Sequence, residues 1–259
     1  MNTFTPKNND ELRKAVKLWC LNPSDSDYDI HFWLDVYIEY GHISTWNTKN
    51  ITDMSKLFQN CEFNEDISNW NVSNVTDMSC MFMNTENFNH SLEKWDVRNV
   101  RNMYGMFYGA YHFNGSVNEW NVSNVSNMSF MFSRATSFNQ PLNKWNVSNV
   151  RDMSSMFSYA IEFDQELSDW NVSNVIDMND MFSYAKEFNR PLNNWIINNV
   201  INMDYMFYNA LSFNQSLNNW DTSNVHNMYE MLTNTRNEDK NFSDWDVNKL
   251  VQKTKKIRL

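Results

Sequence analysis

The chain has 259 residues, enough to bury a sizeable core, and carries 31 acidic against 21 basic residues for a formal net charge of −10. That field repels phosphate backbones and anionic lipid, which argues against a nucleic-acid partner. With only 4 Gly and 4 Pro, the composition excludes collagen-like rods, Gly-rich calcium rolls and long flexible linkers.

Taken from the N-terminus, Leu12, Ala15, Val16 and Trp19 recur at helical spacing within residues 9 to 20. Ile30, Trp33, Val36, Tyr37 and Tyr40 do the same within 28 to 40, and Gly41 follows as a helix stop. Residues 1–45 therefore read as a helical N-terminal cap. No apolar signal segment or membrane-length run is visible, so the expected protein is soluble, cytoplasmic or packaged in a particle such as a virion.

Residues 46–245 are an array. Trp46, Trp70, Trp95, Trp120, Trp145, Trp170, Trp195, Trp220 and Trp245 are 24 residues apart once and 25 apart thereafter. A fixed period in this range marks units that bury their apolar faces only against their neighbours. Counting each Trp as position 0, a unit such as that of Trp170 places Val175, Met178, Met181, Phe182 and Ala185 at the spacing of an inward helical stripe of about three turns. Asn174 stands where an N-cap belongs and Asp177 where a capping-box partner belongs. The alternation around Trp170-Asn171-Val172-Ser173 suits a short strand. The expected fold is thus an α/β repeat solenoid of leucine-rich-repeat type, with one short parallel strand and one helix per 25-residue coil. Residues 246–259 read as a C-terminal cap and basic tail that includes Lys249, Lys253, Lys255, Lys256 and Arg258.

No chemistry is expected along the array. The five histidines fall at unrelated positions, and no phosphate-cradling glycine loop or nucleophile motif is present, so no catalytic residue, cofactor or metal site is assigned. Cys20, Cys61 and Cys80 lack Cys-x-x-Cys spacing, form an odd set, and read as reduced thiols. The Asp/Asn column at position 7, which includes Asp53, Asp77, Asn102, Asn127, Asp152 and Asp177, reads as helix caps rather than calcium ligands. The methionines at positions 8 and 11 read as core.

The run from Asn121, with the pattern N-V-S-N-V-x-D/N-M-x-x-M-F-x-x-A-x-x-F-N-x-x-L-x-x-W, resembles the BspA-like leucine-rich-repeat family. It is most similar to the 25-residue repeat of mycoplasma surface lipoproteins, a repeat also found in protist and giant-virus proteins. The resemblance covers about residues 42 to 248. It implies adhesion or protein recognition, and it supplies no catalytic residues.

The expected function is a non-catalytic protein–protein interaction scaffold, the alternative being an exported surface adhesin. Two faces are candidates for contact with a protein partner. One flanks the tryptophans and includes Lys94, Arg98, Glu119, Asn121, Lys144, Asn146, Asp169 and Asn171. The other collects Tyr104, Tyr108, Tyr159, Tyr184, Tyr205 and Tyr208 at positions outside the apolar stripe, and Tyr is enriched where binding energy concentrates.

Overall fold

A computed structural model describes residues 3–21 and 30–237. Helix α1 spans Asn9–Trp19. It starts at Asn8, whose side chain accepts from the Glu11 amide at 3.0 Å, while the Glu11 carboxylate accepts from the Lys7 amide at 2.6 Å; together these satisfy donors that the first turn leaves open. Its buried face is Leu12, Ala15 and Val16. Helix α2 spans Ile30–Tyr40 and ends at Gly41, whose φ of +66° is the left-handed conformation that closes helices. A short 3-10 turn, Ile43–Thr45, delivers the chain to Trp46.

From Trp46 the chain lays down units that hydrogen-bond in register, one on the next. Within the unit of Trp120, turns close from Val125 N–H to the Val122 carbonyl, Met131 to Met128, Ser133 to Phe130, Ala135 to Phe132 and Phe138 to Ala135, at 2.9 to 3.2 Å. The intervening amides point along the stack. Met128, Phe130, Phe132 and Arg134 donate to the carbonyls of Asp152, Ser154, Met156 and Ser158 in the following unit, at 2.7 to 3.0 Å. Alternate peptide groups thus serve the turn and the neighbour.

This arrangement departs from the expected strand and helix. Residues 175 to 185 form consecutive turns, and the segment around Trp170 is also a turn. In the repeat units the only strand-like pairing among the described residues is one parallel bridge per step, from Asp53↔Asp77 to Asn202↔Asn227. Asn174 is not an N-cap, since its amide donates to the Ser148 carbonyl of the preceding unit at 2.7 Å. Asp177 accepts from the Asn179 amide two residues on at 2.9 Å, an Asx turn. The reason lies in the backbone. Positions 10 and 14 are left-handed in every described unit, for example Phe130 at φ +60°, Arg134 at +62°, Ser155 at +54° and Tyr159 at +59°. Two left-handed residues four apart cannot belong to a right-handed helix. Each costs a non-glycine residue ~1–2 kcal/mol, offset by the turn and inter-unit hydrogen bonds that only this geometry allows.

The core runs the length of the stack. Every Trp from Trp46 to Trp220 is at most 4% exposed. Trp120 lies parallel to Trp95 and Trp145 at 6.3 Å, Phe107 to Phe132 at 5.5 Å, and Phe113 to Phe138 at 5.8 Å. Tryptophan does more than fill space. Its indole Nε1 donates to the carbonyl three residues before the preceding Trp, as Trp120 does to Leu92 at 2.8 Å and Trp145 to Val117 at 3.0 Å. Each buried bond of this kind contributes on the order of 1 kcal/mol.

At the N-terminal end, a disulfide joins Cys20, the C-cap residue of α1, to Cys61 in the first unit, with Cα atoms 5.6 Å apart. Two of the three expected free thiols are therefore bonded, and Cys80 is free and buried. The pairing has no local signature in the sequence, since it spans 41 residues and follows no motif. It arises because α1 docks on the first unit, where Cys61 occupies the position filled by Ala110 and Ala135 in later units. The proposed C-terminal cap and tail lie outside the described residues.

At Ser155 the Gly variant should be more stable than the Ala variant by about 1 kcal/mol in denaturant melts, whereas a helix there would reverse the order by a similar amount. Thiol titration of the denatured, non-reduced protein should find one reactive cysteine, and three after reduction. Reduction should also lower stability by up to roughly 3–4 kcal/mol, as expected for a loop of this length.

Candidate interaction faces

The tyrosine set assembles along one flank of the stack because positions 9, 10, 13 and 14 lie on the turns that face away from the core. Tyr159 and Tyr184 stack at 4.3 Å, Tyr184 meets Tyr208 edge-on at 5.5 Å, and Tyr208 meets Tyr205 edge-on at 5.6 Å. Tyr205 continues the ladder to Tyr229 at 5.2 Å. The Arg134 guanidinium lies 5.3 Å from the Tyr159 ring centre and prolongs the ladder into the preceding unit. Tyr104 and Tyr108 pack against Phe130 at 5.7 and 6.3 Å. Six successive units, from that of Trp95 to that of Trp220, thus contribute to one aromatic flank. Tyr159 is 36% and Tyr104 37% exposed, so their rings pack together and still present an edge to solvent. Phe130 and Arg134 were not singled out in the sequence; their left-handed backbone turns them onto this flank.

Acidic groups accompany the rings in its C-terminal half. Burial raises the Asp180 carboxyl above the ordinary carboxylate range, and the nearby Asp204 and Asp177 push the same way against hydrogen bonds from Ser183 and Asn179. The Tyr229 hydroxyl is pushed up to about 12, chiefly by its hydrogen bond to Glu230.

The second set, beside the tryptophans, is exposed throughout: Lys94, Arg98, Glu119, Asn121, Lys144, Asn146, Asp169 and Asn171. Several of these have internal partners. Arg98 pairs with Asp96 at 2.8 Å, and Lys144 pairs with Glu119 across one step of the stack; exposed pairs of this kind contribute little. Asn121, Asn146 and Asn171 accept from the amides of Ser123, Ser148 and Ser173 at 3.1 to 3.2 Å and shape the turn. The basic spot at Lys94 and Arg98 is therefore partly neutralised.

Asparagine elsewhere holds units together. The amides of Asn124, Asn149 and Asn174 donate to carbonyls of Arg98, Ser123 and Ser148 at 2.6 to 2.7 Å. Asn114 and Asn139 each accept from the amide of the residue 25 positions on, Asn139 and Asp164, at 3.0 Å. In the position-7 column, Asn102 and Asn202 donate to the carboxylates of Asp77 and Asp177. Mixing neutral Asn with Asp keeps like charges from stacking along the whole column. Among the described residues no group of three or more His, Cys, Asp or Glu is placed to hold a metal ion.

The family described as Mycoplasma protein of unknown function, DUF285, matches residues 32–145, 92–195 and 163–257. The chain belongs to this family. The three matches overlap because the DUF285 pattern spans several units, so each covers a different stretch of one array. No curated protein and no solved structure matches this DUF285 chain. No described helix is long and apolar enough to cross a membrane.

Proposed function

We propose that this chain is a non-catalytic interaction scaffold, a solenoid whose stacked units hold the aromatic flank rigid for a protein partner. The observation that carries this reading is the ladder from Arg134 through Tyr159, Tyr184, Tyr208 and Tyr205. Tyr and Arg supply large contact area at modest entropic cost and dominate binding hot spots. A flank fixed by hydrogen bonds between units loses little further freedom on binding. The likeness of the repeat to BspA-like leucine-rich-repeat proteins supports recognition as the role, with chains of turns standing in the units where those proteins are expected to carry strand and helix. The set beside the tryptophans is the weaker candidate because so much of it is engaged internally.

A second reading, an exported surface adhesin, gains support from the Cys20–Cys61 disulfide, since such bonds persist mainly in oxidising compartments. Under either reading the tyrosine flank is the contact surface.

The test compares wild type with Tyr159→Ser/Tyr184→Ser as baits in the native source. Loss of the stacked pair should cost about 0.5–1.5 kcal/mol beyond the apolar area the two rings bury, with the cooperative melting transition kept, and should abolish capture of the proteins that wild type retains. An unchanged set of captured proteins would refute the flank as the binding surface.

A further inference from the structure

In the body of the stack, the carbonyls at positions 11 and 13 accept the amides at positions 12 and 14 of the preceding unit. Met81 accepts from Phe58, and Met83 from Asn60, both at 2.9 Å. The first unit has no predecessor, and α1 takes that place over only part of its edge. The Asn9 side chain accepts the Thr52 amide at 3.1 Å, and Arg13 donates to the Ser55 carbonyl at 2.5 Å. Past Arg13 no described residue caps this edge. Among the described residues nothing donates to the carbonyls of Leu57 and Gln59, which are the first-unit counterparts of Met81 and Met83.

Leu57 and Gln59 line a cavity of about 340 Å³ between the end of α1 and the first unit, closed on one side by the Cys20–Cys61 disulfide. Arg13, Lys17 and Lys56 also line it, and no carboxylate does so among the described residues. Arg13 is held by Asp53 at 3.1 Å, but Lys17 and Lys56 are exposed and form no ion pair with a described residue. This stands against a chain of net charge −10. The adjoining cavity one unit on shows the opposite sign, with Glu62 and Glu86 in its wall and no cation among the described residues. Capping of carbonyls accounts for Arg13, whereas the two lysines have no such bond.

We propose that this berth, open among the described residues, takes an extended acidic segment of a partner protein. Two alternate amides of the segment donate to the Leu57 and Gln59 carbonyls, as Phe58 and Asn60 do to the unit after them. Its carboxylates meet Lys17 and Lys56. Edge pairing of this kind supplies affinity through the main chain and specificity through alternate side chains. The site is separate from the aromatic flank, so either can fail without the other.

Fluorescence anisotropy with the full chain and a labelled seven-residue peptide of alternating Glu and Val tests this. Saturable binding is expected, with at least tenfold weakening when alternate amides are N-methylated. Binding should be lost in Lys17→Glu/Lys56→Glu and retained in Tyr159→Ser/Tyr184→Ser, with melting temperatures confirming that each variant folds. The proposal is overturned if wild type does not bind, if an alternating Lys and Val peptide binds as well, or if methylation or the lysine variant leaves affinity unchanged. Self-association of the unliganded chain that the lysine variant abolishes would assign the berth to a second copy and would also overturn it.

Discussion

Everything in this stack depends on alternate peptide groups lying along its axis, so that the amides at positions 8, 10, 12 and 14 of one unit meet carbonyls of the next, as from Met128 to Arg134. An unpaired buried amide or carbonyl costs about as much as a lost hydrogen bond, and the core leaves no water to replace the partner. The register of 25 residues is therefore fixed by the backbone as well as by the side chains. Left-handed residues at positions 10 and 14 are the geometric condition for it. They are held by Lys56, Phe130, Ser155 and Tyr205 as well as by Gly105, so the surrounding bonds offset the cost that a side chain adds there.

Once that register exists, identical side chains are brought above one another and the sequence can repeat its large apolar groups without mismatch. Trp120 over Trp145 and Phe107 over Phe132 are near-parallel consequences of it. The indole bonds, the Asn124-type amide bonds and the Asx turns at position 7 each use the same periodicity to satisfy a carbonyl or an amide. The abundance of Asn is explained by these roles and requires no ligand. The same regularity carries Tyr159, Tyr184 and Tyr208 into contact, because residues on the outward turns of successive units fall beside each other.

The period, the inward columns and the identity of the aromatic flank were legible in the sequence, since burial at Val175, Met178, Met181, Phe182 and Ala185 follows their spacing directly. The backbone between them was not. A helical stripe and a chain of three-residue turns both bring positions 5, 8, 11, 12 and 15 inward, so apolar periodicity cannot separate them. The discriminating signal was Asn60, Asn84, Gly109, Asn209 and Asn234 at position 14, residues that tolerate the left-handed region. The disulfide and the basic berth beneath it were hidden for another reason. Lys17, Cys20, Lys56 and Cys61 meet only because α1 folds onto the first unit, a contact across some forty residues that no local pattern encodes.

The proposed recognition role rests on rigidity, because a flank fixed by backbone bonds can present aromatic edges with little loss of freedom on binding. The hydrogen bond between units can be observed through scalar couplings across it in a deuterated, isotope-labelled sample. Coupling is expected from the Phe130 amide to the carbonyl carbon of Ser154, and from Phe132 to that of Met156. Coupling from Phe130 to the carbonyl carbon of Ser126, four residues back in its own unit, would contradict it.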